Sequence, residues 1–137
     1  MADIKEQLVK HEGERLHPYR CTANKLTIGV GRNLEDKGIS REESRILLEN
    51  DIQECVEDLA SIFPDFSQYA QARQHALIDL RFNLGASGFR SFKKLIAAAQ
   101  REDWEQAAEE LQDSSWWSQV QSDRRSTIYQ QLKAGKG

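Results

Sequence analysis

The chain has 137 residues, a formal net charge of −3 and 30% charged residues, which fits one soluble globular domain with a sizeable core. The acidic balance argues weakly against a general nucleic-acid binder, since such proteins are usually basic. Cys21 and Cys55 are too few for a disulfide framework, and neither has metal-ligand spacing to other residues. No N-terminal apolar run has the length of a signal peptide or membrane span, so we expect a protein that stays in the cytoplasm unless something else releases it.

The N-terminal part of the chain predicts a short helix followed by a small sheet. Asp3 can cap a first helix that ends at Gly13. Residues 16–30 are rich in Tyr, Thr and Ile and are interrupted by Thr-Ala-Asn at 22–24, a pattern typical of a β-hairpin. Residues 33–38 follow as a loop.

A long helix is predicted next. Ser40 and Glu43 form the S-x-x-E pattern of a capping box, and Pro64 ends the helix. Between them, apolar residues recur at helical spacing: Ile46, Leu47, Ile52, Cys55, Val56 and Leu59. This spacing predicts one continuous helix of about 20 residues.

The remainder of the chain predicts only helices. The first is expected at residues 69–84, with a stop at Gly85, and the second at 89–99. A third follows Asp103 and Gln106, which form a second capping pair. A short segment begins at Trp116, and the last helix is expected at 123–132. The predicted fold class is therefore α+β and mostly α. It comprises one domain in which a small β-hairpin lobe (about 1–39) is joined by a helix (about 40–62) to a helical lobe (about 63–137).

Glu12 lies at the predicted C-terminal end of the first helix. The helix dipole leaves partial negative charge there, which disfavours a second charge and favours the protonated carboxyl. A carboxylic acid that keeps its proton near neutral pH can donate it to the leaving oxygen of a glycosidic bond. An ordinary surface glutamate in the charged stretch HEGER is the alternative, and Glu14 fits the role as well.

The spacing of the residues after Glu12 favours a catalytic role over an ordinary surface glutamate. Glu12, Cys21 and Thr27 follow the pattern E-x8-[DC]-x5-T within the segment EGERLHPYRCTANKLTIGVG. This segment resembles the catalytic stretch of the phage-type lysozymes, glycoside hydrolase family 24, which include the T-even phage lysozyme. The resemblance continues through ISREESRILLENDI, DLRFNLGASGFRSF and DWEQAAEEL, and so covers nearly the whole chain.

The resemblance implies a lysozyme-like fold and three catalytic roles. Glu12 would be the general acid. Cys21 falls where many members have aspartate and a subset have cysteine, and Thr27 would hold the attacking water together with it. A glycoside hydrolase needs an acid on one face of the sugar bond and a water-activating group on the other.

Cys21 leaves several roles open. A free thiol is only a few per cent ionised at pH 7, although Lys25 across the turn could lower its pKa. The thiolate could take a proton from water or attack the sugar itself. A small apolar or inert surface thiol is the plain alternative. Cys55 lies on the apolar stripe of the long helix and is expected in the core.

Supporting residues follow from the same resemblance. Arg32 and Asp51 fall where the T-even phage enzyme has a paired histidine and aspartate, so an Arg32–Asp51 ion pair is expected. Arg124 matches the arginine that contacts the catalytic glutamate, with Arg125 as the alternative.

Substrate contacts are expected at Phe82 and Asn83, which fall near the cleft-lining helix of the family. Residues 81–101 contain five basic residues and no acidic one: Arg81, Arg90, Lys93, Lys94 and Arg101. They form either an exposed basic face or, if this face borders the cleft, a surface that attracts anionic groups of the substrate. Helical spacing favours core packing over sugar platforms for Trp104, Trp116 and Trp117.

These residues together predict an endolysin. It would be a muramidase that hydrolyses the β-1,4 bond between N-acetylmuramic acid and N-acetylglucosamine for host cell lysis, without cofactor or metal. As a monomer it would act on peptidoglycan glycan strands, bind no nucleic acid, insert into no membrane, and depend on a holin to pass from the host cytoplasm to the cell wall. The alternative is a non-catalytic peptidoglycan-binding module with the same fold, because Cys21 replaces aspartate.

Overall fold

The computed structural model describes residues 3–136 and confirms an α+β, mostly helical fold. The chain forms two compact units, and the boundary between them falls after Leu47. Within the described residues, no helix is both long and apolar enough to cross a membrane. The elements are α1 (Ile4–Glu12), β1 (Arg15–Arg20), β2 (Leu26–Gly29), β3 (Arg32–Asn33), α2 (Arg41–Ile62), a 3-10 turn (Phe66–Gln68), α3 (Gln71–Arg90), α4 (Lys93–Gln100), α5 (Trp104–Gln112), α6 (Ser115–Gln119) and α7 (Ser122–Ala134).

The first helix begins and ends where the sequence predicts. The Asp3 carboxylate accepts a hydrogen bond from the Glu6 backbone N–H at 2.8 Å, which satisfies one of the free donors at the helix start. Gly13 follows the last helical residue with φ of 76°, a backbone conformation that glycine adopts without a Cβ penalty.

The predicted hairpin is present as part of a three-stranded antiparallel sheet in the order β1-β2-β3. The third strand was not predicted, and it takes the start of the expected loop at Asn33. Hydrogen bonds within the loop and to β2 hold the rest of the loop. The Asn33 side-chain oxygen accepts from the Asp36 N–H (3.0 Å), and the Leu34 N–H donates to the Leu26 carbonyl (2.8 Å).

The long helix α2 is continuous, as predicted, and opens on the predicted capping box. The Ser40 hydroxyl accepts from the Glu43 N–H (3.1 Å), and the Glu43 carboxylate accepts from the Ser40 N–H (2.8 Å). The apolar stripe is buried only in its second half, at Cys55 and Leu59. Its first half is exposed, with Ile46 57% and Leu47 53% accessible. The helical periodicity alone therefore predicted more buried residues on α2 than the structure has.

The second unit contains the apolar core. The largest fully buried side chains all belong to it: Leu59, Phe63, Leu77, Leu80, Phe89, Leu95, Leu111, Ile128 and Leu132. Trp104 and Trp116 are 8% and 7% exposed, which confirms the expected packing role for these two indoles. Four edge-to-face aromatic pairs run through this core, and the closest joins Tyr69 to Trp104 at 4.9 Å between ring centroids.

The helix α3 is broken at Gly85, where the sequence predicts a stop. Its φ of 77° and ψ of 175° belong to a region that is essentially restricted to glycine. The helix resumes at once and places Phe89 in the core, whereas the sequence assigned this residue to the following helix. A second interruption at Ser91 and Phe92 then separates α3 from α4.

The basic stretch is not a uniform exposed face. Arg81 is 7% exposed, and its guanidinium donates to the Asp58 carboxylate on α2 at 2.6 Å. The same carboxylate accepts a bidentate pair of hydrogen bonds from Arg90. Two arginines on one largely buried carboxylate hold its pKa at about 2, with Arg90 as the larger cause.

We therefore expect Asp58 to make stability depend on acid pH. Because its folded-state pKa is lowered, the stabilisation is present above the unfolded-state pKa near 4 and is lost as pH falls through about 2. The shift corresponds to about 2 kcal/mol. Unfolding free energies measured by denaturant titration from pH 7 down to about pH 2 should fall more steeply for the parent than for Asp58→Asn.

The control for this measurement is Asp51→Asn. Asp51 is an exposed carboxylate on the same helix, with no ion pair among the residues that the structure describes. This variant should follow the parent curve. Equal acid sensitivity of the parent and Asp58→Asn would contradict the assignment.

Candidate active site

The β1–β2 hairpin brings Cys21 and Thr27 together. Tyr19 pairs with Thr27 in the register, and Cys21 follows where the chain turns. The Cys21 amide donates to the Lys25 carbonyl (3.0 Å), and the Asn24 amide donates to the Cys21 carbonyl (2.8 Å). Side chains alternate along a strand, so Tyr19 and Cys21 project to one face and the Cys21 thiol comes beside Thr27.

The Cys21 thiol has a lowered pKa. The largest cause is a hydrogen bond from the Lys25 backbone N–H, followed by the Ala23 backbone N–H and the Thr27 hydroxyl. Donors directed at sulfur stabilise the thiolate over the thiol. The Lys25 ammonium, which the sequence suggested as the cause, instead lies 3.4 Å from Asp36. The turn backbone therefore supplies the activation.

Thr27 is the one buried residue between positions 3 and 47. Its hydroxyl donates to the Lys25 carbonyl at 2.8 Å. With its single proton placed there, the oxygen keeps lone pairs that can accept from water or from the Cys21 thiol. When the thiol ionises, the same hydroxyl can donate to sulfur. The pair can therefore orient a water molecule beside a base.

Glu12 ends α1, and its carboxylate lies against Gly31 at the β2–β3 turn. A Cβ at position 31 would come within 2.9 Å of Glu12 Oε2, closer than real Cβ contacts. Gly31 also has a φ of 68°, a backbone conformation that favours glycine, and a larger residue there would push the Glu12 carboxylate aside. Sequence analysis did not single out Gly31, although the Gly-x-Gly pattern at 29–31 is a signal for a close backbone approach.

The expected Arg32–Asp51 pair is wrong. Arg32 binds Glu43, with 2.8 Å from Nη2 to Oε2, and also donates to the Gly38 carbonyl at 3.2 Å. The capping box holds the Glu43 carboxylate at the start of α2. Asp51 lies eight residues further along this helix, which is about 12 Å. Arg32, together with the Ser40 N–H, lowers the pKa of Glu43 to about 2.

A cavity of about 640 Å³ adjoins this ion pair in the first unit. Apart from Arg32 and Glu43 its lining is mostly aliphatic: Ile28, Val30, Leu34, Ile39, Ile46 and Leu47. Glu12, Cys21 and Thr27 are not among its lining residues. The candidate catalytic groups are therefore distinct from this apolar pocket.

In the second unit, Asn83 is oriented by a residue far along the chain. Its side-chain oxygen accepts from the Trp116 indole N–H at 2.8 Å. The amide oxygen is thus committed, and the exposed amide N–H groups remain available as donors. Phe82 is 44% exposed and borders two cavities, of about 220 and 340 Å³.

Arg124 is held by Asp79, with 2.8 Å from Nε to Oδ1. Arg125 donates to the Trp117 carbonyl (2.8 Å) and lies over the Trp117 ring at 5.3 Å. The expected contact of Arg124 with Glu12 stays a prediction. Within residues 3–136, no cluster of three or more His, Cys, Asp or Glu side chains could hold a metal ion.

Comparison with known protein families identifies the family of this chain. The sequence profile of the phage lysozymes matches residues 9–135, nearly the whole chain. The chain belongs to the phage lysozyme family. Membership gives a glycosidase of the lysozyme type, with peptidoglycan as the substrate that the family implies.

Three relatives of this phage lysozyme family member are 25–27% identical to it. Two are from Dictyostelium discoideum: "Probable T4-type lysozyme 2" is 27% identical and "Probable T4-type lysozyme 1" is 25% identical. The alignments cover 88% of both chains for the first and 85% of both for the second. The "Pre-baseplate central spike protein Gp5" of Enterobacteria phage T4 is 27% identical over 84% of this chain, but over only 25% of its own length.

The two cysteines should differ in reactivity toward iodoacetamide. Cys21 is partly exposed and has a lowered thiol pKa, whereas Cys55 is 3% exposed and burial raises its pKa. We expect Cys21 to be alkylated at least about tenfold faster, with a rate that rises with pH and reaches its half-maximum below the pH of an ordinary thiol. Peptide mass analysis over a time course at several pH values measures both rates.

In the same samples, loss of lytic activity should follow modification of Cys21. Denatured protein serves as the control, since both thiols should then react alike. Equal rates in the folded protein would show that the turn does not activate Cys21.

Proposed function

We propose that this protein is an endolysin-type muramidase that hydrolyses the β-1,4 bond between N-acetylmuramic acid and N-acetylglucosamine. The observation that carries the proposal is the first unit's placement of a buried Thr27 hydroxyl against an activated Cys21 thiol, with Glu12 at the end of α1. Glycoside hydrolysis requires these two kinds of group, a proton donor and a water-activating group.

In the proposed reaction Glu12 donates its proton to the glycosidic oxygen as the bond to the anomeric carbon breaks. A water molecule held by Thr27 attacks that carbon, and the Cys21 thiolate takes the proton that the water loses. The products are a new reducing end on N-acetylmuramic acid and a free hydroxyl on N-acetylglucosamine. Proton transfer back from Cys21 through solvent to Glu12 restores the starting state.

Substrate contacts in the second unit are proposed at Phe82 and Asn83. The exposed Phe82 ring offers an apolar surface, and the Asn83 amide N–H groups can donate to hydroxyl or acetamido oxygens of a glycan. Trp116 fixes the direction of these donors by occupying the Asn83 oxygen. Arg124 is proposed to support Glu12.

Host cell lysis is the proposed biological role. Membership of the phage lysozyme family supports this role. The protein would act as a monomer, without cofactor or metal, after a holin admits it from the host cytoplasm to the cell wall.

Replacement of Glu12 tests the reaction. Glu12→Gln keeps the shape but cannot donate the proton in the same way, so the hydrolysis rate on purified peptidoglycan should fall by at least about 10²-fold. Glu14→Gln, an exposed glutamate two residues away, is the matched control and should keep near-parental activity. Mass analysis of the digest should show reducing-end muramic acid.

Two outcomes would contradict this mechanism. Products with 1,6-anhydro ends would indicate a lytic transglycosylase. A folded parent protein that binds peptidoglycan and releases no fragments would be a binding module instead.

Substitutions of Cys21 test the base. Cys21→Asp should keep activity within about tenfold of the parent, because a carboxylate can accept a proton from water in the same place. Cys21→Ala should lose at least about 10²-fold, because nothing replaces the base. Thr22→Ala, an exposed position in the same turn, is the control. Parental rates for Cys21→Ala would leave Glu12 and Thr27 to account for the chemistry.

A further inference from the structure

Asp58 lies at a junction across the break in α3. Arg81 precedes the break at Gly85, and Arg90 follows it. Both guanidinium groups donate to the Asp58 carboxylate, Arg81 at 2.6 Å and Arg90 at 2.8 Å with a second, bidentate contact. One carboxylate on α2 therefore binds the two segments of α3 on either side of the glycine.

The break itself does little to fix the direction of the second segment. Gly85 has no side chain, and a Cβ built on it would meet nothing within 4 Å. Phe89 anchors the segment in the core, as it is fully buried. A single buried ring leaves rotation about it possible, and the bidentate Arg90–Asp58 contact restrains that rotation.

The proposed glycan-contacting residues lie between the two arginines, at the end of the first segment of α3. Phe82 and Asn83 come directly after Arg81 and before Gly85. The Asn83 side chain is further held by Trp116. The segment between the two arginines is thus fixed at both ends by Asp58 and in the middle by an indole N–H.

We propose that Asp58 is a positioning residue: through Arg81 and Arg90 it holds Phe82 and Asn83 where they bind the glycan. This rests on the proposed muramidase function. Asp58 acts on substrate binding and leaves the bond-breaking step unchanged. With a side chain 18% exposed and a pKa near 2, the carboxylate stays charged throughout the neutral range.

The test separates binding from chemistry. Steady-state kinetics on soluble peptidoglycan fragments should show KM raised about three- to tenfold in Asp58→Asn and in Arg90→Gln, with kcat within about twofold of the parent. Glu54→Gln is the matched control. Glu54 also faces Arg81, at 3.6 Å, but its side chain is 72% exposed, and among the described residues it forms no ion pair with Arg90. Its KM should match that of the parent.

A second readout reports position directly. In ¹⁵N-labelled protein without substrate, the indole N–H resonance of Trp116, identified by its absence in Trp116→Phe, reports the hydrogen bond to Asn83. We expect it to shift in Asp58→Asn and Arg90→Gln and to stay in place in Glu54→Gln. Arg90→Gln serves if Asp58→Asn fails to fold, because Arg90 is 44% exposed and Arg81 keeps its partner.

The outcomes are distinguishable. A folded Arg90→Gln with parental KM and an unmoved Trp116 resonance overturns the positioning role. A raised KM with a shifted resonance supports it. If the parent itself releases no fragments, the muramidase function fails. The resonance still decides whether Asp58 positions Asn83, since it needs no substrate.

Discussion

The pairing register of β1 with β2 is the constraint on which the candidate active site of this protein depends. It sets Tyr19 opposite Thr27 and so brings the thiol of Cys21 to the Thr27 hydroxyl. A slip of one residue would turn every side chain of the strand to the other face. Polar contacts fix this register, since Thr27 is the only buried residue between positions 3 and 47. The Glu35 carboxylate, for example, accepts from the Leu26 backbone N–H at 2.8 Å.

The same turn bears on how a thiol could do the work of an aspartate at position 21, where the resemblance allows either residue. An aspartate is ionised at neutral pH without assistance, whereas a thiol with an ordinary pKa near 8.5 is mostly protonated. Hydrogen bonding from the backbone of Lys25 and Ala23 lowers the pKa of the Cys21 thiol and so favours its charged form. Apart from substitution by proline, a side-chain change leaves these backbone donors in place, so this activation belongs to the shape of the turn. A shorter or longer turn would lose it.

The second unit is organised differently. Its helices close around a continuous apolar core, and polar groups are buried there only with partners. Arg81 has the carboxylate of Asp58, and the Trp116 indole has the oxygen of Asn83. An unpaired buried charge or donor would be costly, so each of these contacts also fixes the element that carries it. Polar contacts in this unit therefore determine geometry as well as stability.

The sequence by itself determined the features that depend on neighbours within a few residues. These are the Asp3 cap, the Ser40–Glu43 box, the uninterrupted course of α2, the hairpin and the break at Gly85. Each is set by hydrogen bonds or backbone preferences local to the chain, which residue type and spacing reveal. The spacing likewise placed two of the three candidate catalytic residues, Cys21 and Thr27, within reach of each other in one hairpin.

Only the tertiary structure decided which partner each long side chain takes. Arg32 reaches Glu43 rather than Asp51, and Arg81 is buried against Asp58 although its sequence context suggests an exposed basic face. Asn83 meets Trp116 across 33 residues of chain. A charged or amide side chain has several possible partners of similar chemistry. The choice among them follows from which helices pack together, and pairwise spacing in one sequence does not contain that information.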